Sequence, residues 1–425
     1  MNRHYSTSKQ KTAGLIRYSC ALLFMLFSFS YLFFLQGEIL AEAQYVYSKG
    51  ITSYNILIGA ITITVILQIV QWIVSLLSHL PSRWYALSYL PSMLLLAMVT
   101  DVNKEAIEHF SFGAWIWVVP CILVTYVFLA IFVKNFNNEE SVYRLDLKSQ
   151  LYPNFIILFI LMLGVGAIPQ TTDVYHYELK AERLILAKDY EGAAAIGKKS
   201  LRSSARLTQL RMYALSKQGL LPECLFDYPQ YYGSKGLLDM ADIAEIADSS
   251  SLERFTSQDI CFHLGAYCGT SIHTADRYYR LMLGDTICNQ HTADYYLCSL
   301  LLDKRLPEFL RQLPRHYNLA DSIAGAYDNL PRAYREALLQ MGKKPYALQG
   351  KIVIGADTLA TLSDREMVAR FRDYTERKAE FTDATERINR THREYGNTYW
   401  WYYDFSHLAK GELQQANTNP SNPHE

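Results

Sequence analysis

The sequence of 425 residues predicts an all-α protein in two parts, an N-terminal bundle of five transmembrane helices followed by an α-solenoid of short paired helices. Three observations carry that prediction. Residues 1–170 hold five long apolar runs, apolar residues after Thr172 recur at three- and four-residue spacing, and almost nothing alternates with the period of two that a strand face requires. Charge divides the same way: residues 1–170 carry 10 Lys/Arg and 8 Asp/Glu, leaving 31 and 33 for the other 255. The mean hydropathy of −0.02 therefore averages an apolar part and a polar part. Half the residues are apolar and the net charge is zero, which excludes a disordered chain, a collagen-like repeat and a basic nucleic-acid binder.

Each span follows from length. A bilayer core takes about 20 apolar residues per helix, because backbone polar groups facing lipid must pair within the helix. Gly14–Leu35 and Asn55–Leu80 meet that length with no charge after Arg17. Phe112–Val133 meets it with Trp115 and Trp117 at one end and Lys134 at the other, an interfacial arrangement. Leu151–Ile168 is shorter but uninterrupted. Trp84–Val102 contains Pro91 and follows a tight Pro81-Ser82-Arg83 turn, so it spans with a kink or re-enters; it is read here as spanning. Within these runs Gln68 and Gln71 are the notable polar residues, and one helix turn of amides suits interhelical hydrogen bonding better than a transport path.

Orientation rests on basic residues, which are retained in the cytoplasm. With the N-terminus inside, cytoplasmic segments hold eight (Arg3, Lys9, Lys11, Arg17, Arg83, Lys134, Arg144, Lys148) and outer loops two (Lys49, Lys104). Five crossings then place everything after Pro169 outside. A re-entrant Trp84–Val102 would reverse that. The first run could also be a signal peptide ending near Ala41-Glu42-Ala43, but it exceeds the usual 7 to 15 apolar residues and Gln36-Gly37-Glu38 interrupts the approach to that site.

The spacing after Thr172 predicts helices of 12 to 18 residues separated by Gly, Pro or Asp. Tyr177, Ala181, Leu184, Tyr190, Ala193 and Ser200 resemble the tetratricopeptide pattern, in which small residues let two antiparallel helices pack closely; the turn is Lys188-Asp189-Tyr190-Glu191. Ser204–Gln218, closed by Gly219, and Leu221–Phe226 form the next pair, its second member shortened by Pro222 and Pro229. Ile272 and Ala275 recur as Leu306 and Phe309, 34 residues on, the tetratricopeptide period. A string beginning His273-Thr274-Ala275-Asp276 recurs as His291-Thr292-Ala293-Asp294. Thr274 and Thr292 read as N-caps with Asp276 and Asp294 in first turns, the alternative being a metal or acid/base cluster of the two His and two Asp. Further helices are expected over Leu330–Met341 and Ser363–Lys378. Tyr399, Trp400, Trp401, Tyr402 and Tyr403 follow; five successive aromatics on one helix cannot all reach one core, so core packing competes with a groove or a membrane-interface role as partner-contacting residues. The soluble domain is placed at 171–413 and a disordered tail at 414–425.

Signatures of chemistry are scarce. Gly192–Lys199 has the Gly-x4-Gly-Lys of a phosphate loop, but no Ser or Thr follows and it falls inside a predicted helix. His-Glu-x-x-His, Gly-x-Ser-x-Gly and Gly-x-Gly-x-x-Gly are missing from the sequence. Seven cysteines show no close-spaced zinc pair, and Cys261 and Cys268, two turns apart on one predicted helix, are too distant to bridge. No cofactor, metal ligand or catalytic residue is assigned. The candidates for an enzymatic alternative are outer-face carboxylates, above all Glu38, Asp101 and Glu105, with Glu42, Glu108, His109, Asp173 and His176 nearby; plain solvation of outer loops is the simpler explanation.

The layout of five spans, Asp173-Val-Tyr-His-Tyr-Glu178, a tetratricopeptide-like run and a closing Thr398-Tyr-Trp-Trp-Tyr-Tyr403 resembles a family of Bacteroidetes membrane proteins known only as a domain of unknown function. The resemblance implies a Gram-negative inner membrane and a periplasmic helical domain, and carries over no catalytic residues. The missing Trp and terminal Pro of the usual repeat speak against a regular superhelix. The expected function is a membrane-anchored scaffold whose helical domain meets a protein or peptide partner, with no nucleic acid involved; the alternative is a membrane enzyme or a subunit of a lipid- or glycan-processing complex.

Overall fold

The computed structural model describes residues 2–101, 113–136, 147–167, 173–241, 243, 254–266, 268, 272–284, 289–317, 330–341 and 362–406. These residues are helical or irregular, with no strand among them. The chain divides into two compact units, 1–179 and 180–425.

In the first unit, α1 (Asn2–Ser30) continues into a π-helical turn at Tyr31–Leu35. There Gln36 N–H reaches back to the Tyr31 carbonyl, and the Gln36 amide donates to the Tyr31 hydroxyl at 3.1 Å. Helix α2 (Gly37–Tyr47) occupies what reads in the sequence as loop. Helix α3 (Ile56–Ser78) starts where Asn55 caps it, its side chain accepting from Leu57 and Ile58 N–H. Helices α5 (Trp115–Phe136) and α6 (Leu147–Ala167) are the last long apolar pair. Four helical stretches, Ala13–Leu35, Ile56–Ser78, Trp115–Asn135 and Lys148–Ala167, are long and apolar enough to cross a membrane. Their outward faces carry Ile58, Trp72, Leu77, Trp117 and Phe128, all more than half exposed, a continuous apolar surface of the kind lipid covers.

The fifth run is built differently. It is a 3-10 segment, Ser82–Tyr89, joined to the 11-residue α4 (Leu90–Thr100), with the backbone leaving helical geometry at Trp84. Pro91 sits in the first turn of α4, where its missing N–H and fixed φ start a helix instead of kinking one. This segment is the most enclosed of the unit: residues 85–89, 91–94, 96, 97 and 100 are buried. Polar side chains pin it. Gln71 donates to Tyr85 Oη at 3.0 Å and Ser88 Oγ at 2.9 Å while accepting from Gln68 at 2.9 Å; Ser92 donates to the Leu67 carbonyl. Asn154 of α6, fully buried, accepts from Ala86 N–H at 2.7 Å and donates to the Ser82 carbonyl. Gln71 thus bonds between elements, as its position suggests, whereas the bond from Gln68 stays within α3.

In the second unit, α7 (Asp173–Leu186), whose first turns belong to the first unit, ends at Lys188, held at φ 62°, and Asp189 caps α8 (Tyr190–Ala195) through Gly192 N–H. A Cβ on Gly192 would lie 2.4 Å from that carboxylate, so the first glycine of the phosphate-loop lookalike serves a helix cap. Ser204 caps α9 (Ala205–Lys217), and Gly219, at φ 72°, ends it in the left-handed conformation that L-residues avoid. Helix α10 (Leu221–Cys224) is one turn long. The second members of both pairs are therefore six and four residues, far short of a regular tetratricopeptide helix.

Then come α11 (Ser257–Leu264), α12 (Ala275–Gly284), α13 (Gln290–Leu302) and α14 (Leu306–His316). The helices that open at Ala275 and Leu306 start 31 residues apart, so the 34-residue recurrence of Ile272 and Ala275 as Leu306 and Phe309 is out of register with them: Ile272 precedes α12, whereas Leu306 begins α14. Residues 292–302 of α13 are buried without interruption, as in a helix enclosed by neighbours. On the surface Asp276 and Arg280 of α12 join Arg305 and Glu308 at the start of α14, with Asp276–Arg305 at 2.8 Å and Arg280–Glu308 at 2.6 Å. Helices α15 (Arg332–Met341), α16 (Leu362–Glu380) and α17 (Ala384–Tyr395) complete the unit with helical residues 399–406. The capping side chains expected at 363–366, Cys288 and the tail expected at 414–425 lie wholly or in part outside the described residues.

Candidate functional site

A cleft of about 500 Å³ lies in the second unit. One wall comes from the chain after α8 (Lys198, Ser200, Leu201) and after α10 (Phe226 to Tyr231); the other from Arg370 of α16, Ile388 to Glu394 of α17, and Asn397, Trp401, Tyr402 and Ser406. Truncated helices make this wall. Each leaves terminal carbonyls needing donors, and side chains supply them: Tyr228 Oη donates to the Ala194 carbonyl at 2.9 Å, Gln230 Nε2 to Leu225 at 2.7 Å, and Tyr231 Oη to Leu201 at 3.0 Å. Across the cleft Arg370 donates to the Glu394 carbonyl and Asn397 Oδ1.

The lining charges are unevenly matched. Asp227 faces Lys198 at 3.6 Å and Arg332 at 3.1 Å, and Glu394 faces Arg377 at 3.8 Å. Arg393 has no ion-pair partner among the described residues, and the acceptors of Arg370 are neutral. His392 stacks edge-on against Trp401 at 4.5 Å, and burial lowers its pKa, favouring the neutral ring. Two buried polar atoms of lining residues lack partners, Trp401 Nε1 and Gln230 Oε1.

The aromatic run sits where a partner cannot reach most of it. Tyr399 and Trp400 are fully buried, and Trp401 and Tyr402 are 7% exposed. Residues 399–402 and 405 of this helical stretch are buried on all sides, while Tyr403, Asp404 and Ser406 are half-buried. Tyr399 and Tyr402 pack on Phe226 at 5.4 and 5.2 Å, and Trp400 packs on Phe371 at 4.9 Å and donates to the Glu336 carbonyl. The expectation that some of them stand on an open surface is corrected accordingly; only Trp401 and Tyr402 reach the cleft, by their edges.

Of the residues read as repeat packing, Ala181, Ala193, Leu306 and Phe309 are buried, whereas Tyr177, Leu184, Tyr190, Ile272 and Ala275 are half-buried. The duplicated string does not assemble. His273 is exposed and Asp276 is engaged with Arg280 and Arg305. Thr292 is not a cap: Asn289 caps α13, and Thr292 donates to the Leu264 carbonyl from the first turn. Asp294, buried, accepts from Tyr317 at 2.5 Å and Tyr334 at 3.0 Å, and desolvation raises its pKa. His291 lies beside His263, ring centroids 4.5 Å apart, and Ser216 Oγ meets both, at 2.9 Å from His263 Nε2 and 3.5 Å from His291 Nδ1. Burial, then Lys217 and His291, push the His263 pKa down to about 3. This contact resembles a nucleophile and its base, yet Ser216 is 1% exposed, closed to any substrate.

Two further expectations change. Helix α11 ends at Leu264 and Gly265 turns the chain back, so Cys261 and Cys268, read as too distant, hydrogen-bond to each other as thiols. Among the outer-face carboxylates, Asp101 accepts from the Trp115 indole at 2.8 Å, Glu38 lies in the first turn of α2, and Glu105 is outside the described residues, with Glu108 and His109. Among the described residues no group of three His, Cys, Asp or Glu side chains could hold a metal.

A family of unknown function (DUF6057) matches residues 103–279 and 268–406, together well over half of the chain. The chain belongs to this family. No curated protein and no solved structure matches. The DUF6057 match begins after α4 and takes in every residue of the cleft, from Lys198 to Ser406.

Proposed function

We propose that this DUF6057 protein is a membrane-anchored binding module whose helical second unit, with tetratricopeptide-like pairs, receives a protein or peptide partner. The observation that carries the reading is the cleft: a concave site of ligand size to which Arg370 and Arg393 contribute guanidinium groups with no carboxylate at ion-pair distance among the described residues.

The anchoring takes five crossings in an inner membrane with the N-terminus in the cytoplasm and the second unit in the periplasm. Four helices supply the length directly. For the fifth, eight 3-10 residues and 11 α-helical residues rise about 30 Å together if kept in line, the thickness of a bilayer core. The division of Lys and Arg among the loops supports the direction.

Site-specific photo-crosslinking in cells tests the reading. A benzoyl-phenylalanine at Asn389 or Ser406, on the cleft, is expected to give a discrete adduct, and one at Leu220, outside it, none. Equal labelling from all three positions, or none from the cleft, would overturn it.

A further inference from the structure

We infer that Cys261 and Cys268 are joined by a disulfide in the native chain and that this bond locks the turn between α11 and α12, an inference that rests on the periplasmic placement proposed above. The two sulfurs lie within hydrogen-bonding reach of each other, on residues with no exposed surface. The chain reaches this arrangement without help from sulfur. Gly265, at φ 136°, reverses the backbone directly after α11 ends, and its N–H returns to the Cys261 carbonyl at 3.1 Å. From the first turn of α11, Gln258 clasps the backbone of Cys268 on both sides, donating to its carbonyl at 2.8 Å and accepting from its N–H at 3.2 Å. The Tyr278 hydroxyl of α12 donates between the carbonyls of Cys261, at 2.9 Å, and Ala266, at 2.7 Å, and so ties the two limbs of the turn together. The close approach that a disulfide requires is therefore in place before the bond forms.

Neighbouring helices are set from this turn. At the end of α11 the His263 carbonyl accepts from the Asn289 amide at 3.1 Å and the Leu264 carbonyl accepts from Thr292, so the turn fixes the start of the enclosed helix α13. A bond across residues 261–268 closes a ring of eight residues, which restricts the unfolded chain and holds these acceptors in position. Its formation removes two protons and two electrons. The thiolate of one cysteine attacks a disulfide oxidant, an oxidised dithiol oxidoreductase or glutathione disulfide, and makes a mixed disulfide with it. The second thiolate then attacks the first cysteine's sulfur, forming the S–S bond and releasing the oxidant as thiols that carry both electrons and both protons. Burial raises the pKa of both cysteines and closes them from solvent, so the exchange takes place while the chain folds, before Tyr278 and α13 cover the turn.

The test uses the full chain. Cells are quenched in acid, and the denatured, unreduced protein is alkylated and digested with trypsin. The peptide of residues 255–277, which holds both cysteines and no internal Lys or Arg, is expected to carry no label before reduction and two labels after it. In lipid nanodiscs, reductant is expected to lower the thermal midpoint of the wild type by about 5 °C or more and to leave that of Cys268→Ala, which has one thiol of the pair, where it was. An equal response of the two chains would show a bond that locks nothing and overturn the locking. Two labels before reduction, in a chain whose Lys199→Cys variant reacts from outside with an impermeant maleimide, would overturn the disulfide and leave the periplasmic placement standing. Two labels together with reaction of Lys199→Cys only after lysis would overturn both. A bond from either cysteine to Cys224 or Cys298 would overturn this pairing.

Discussion

Glu336 shows how one buried carboxyl can set a pH response. It is 1% exposed, accepts from Tyr399 N–H at 2.7 Å and lies 3.3 Å from Arg332, and desolvation outweighs that arginine, pushing its pKa up from 4.5 to about 7. The folded state therefore holds this proton more tightly than the unfolded chain. The stabilisation is complete below about pH 4.5 and is lost as pH rises through about 7, an effect of roughly 3 kcal/mol. His263 acts in the opposite sense: its folded pKa is depressed to about 3, so its contribution is present above pH 6.5 and is lost as pH falls toward 3. The groups around it are Lys217, His291 and, through His291, Asp294. Urea midpoints of wild type and Glu336→Gln, measured from pH 5 to 8, should converge at low pH and separate at high pH, the variant holding its stability; parallel curves would refute the assignment. Neither group stands out in the sequence, because desolvation depends on neighbours that arrive from elsewhere in the chain.

At the scale of elements, what holds α14 can be decided by magnitude. Its start shares the Asp276, Arg280, Arg305 and Glu308 network, but the arginines are 37 to 52% exposed, and pairs of that kind contribute about 1 kcal/mol or less. Phe309 of the same helix is fully buried against Tyr334 at 5.5 Å, and losing such a side chain costs about 3–5 kcal/mol. Arg305→Ala should barely move the thermal midpoint and Phe309→Ala should lower it by many degrees; comparable shifts would mean the network, not the core, positions the helix. Much at this scale is legible in the chain. Asn55, Ser204 and Gly219 mark helix ends because capping is local, using donors two or three residues away. Two features are not. The 3-10 start of the enclosed segment at 82–100 needs Gln71 and Asn154 from other helices, and the Cys261–Cys268 contact appears because α11 stops at Leu264.

For the whole molecule the open quantity is the side of the membrane on which the second unit sits. Five crossings put it outside, four would keep it with the N-terminus, and the enclosed segment at 82–100 makes the difference. Cys298, fully buried, is unsuited as a reporter of side, whereas Lys199 is exposed. Lys199→Cys in intact spheroplasts should react with an impermeant maleimide; labelling only after lysis would place the unit in the cytoplasm. The adjacent Cys261 and Cys268 thiols give an independent reading: on the oxidising side they are expected to be joined, the pair taking up no alkylating label in the denatured, unreduced chain, and on the reducing side to take up two labels.

Apolar length and capping residues by themselves determined that this chain is helical, that four stretches can cross a bilayer, and where many helices stop, since those depend on neighbours within a turn or two. Only the tertiary structure decided that the Tyr399 to Tyr402 run is wrapped by protein and that Lys198, Arg370 and Arg393 line one cleft. Both follow from which distant helices pack together, and close packing of side chains far apart in sequence leaves no local pattern to read.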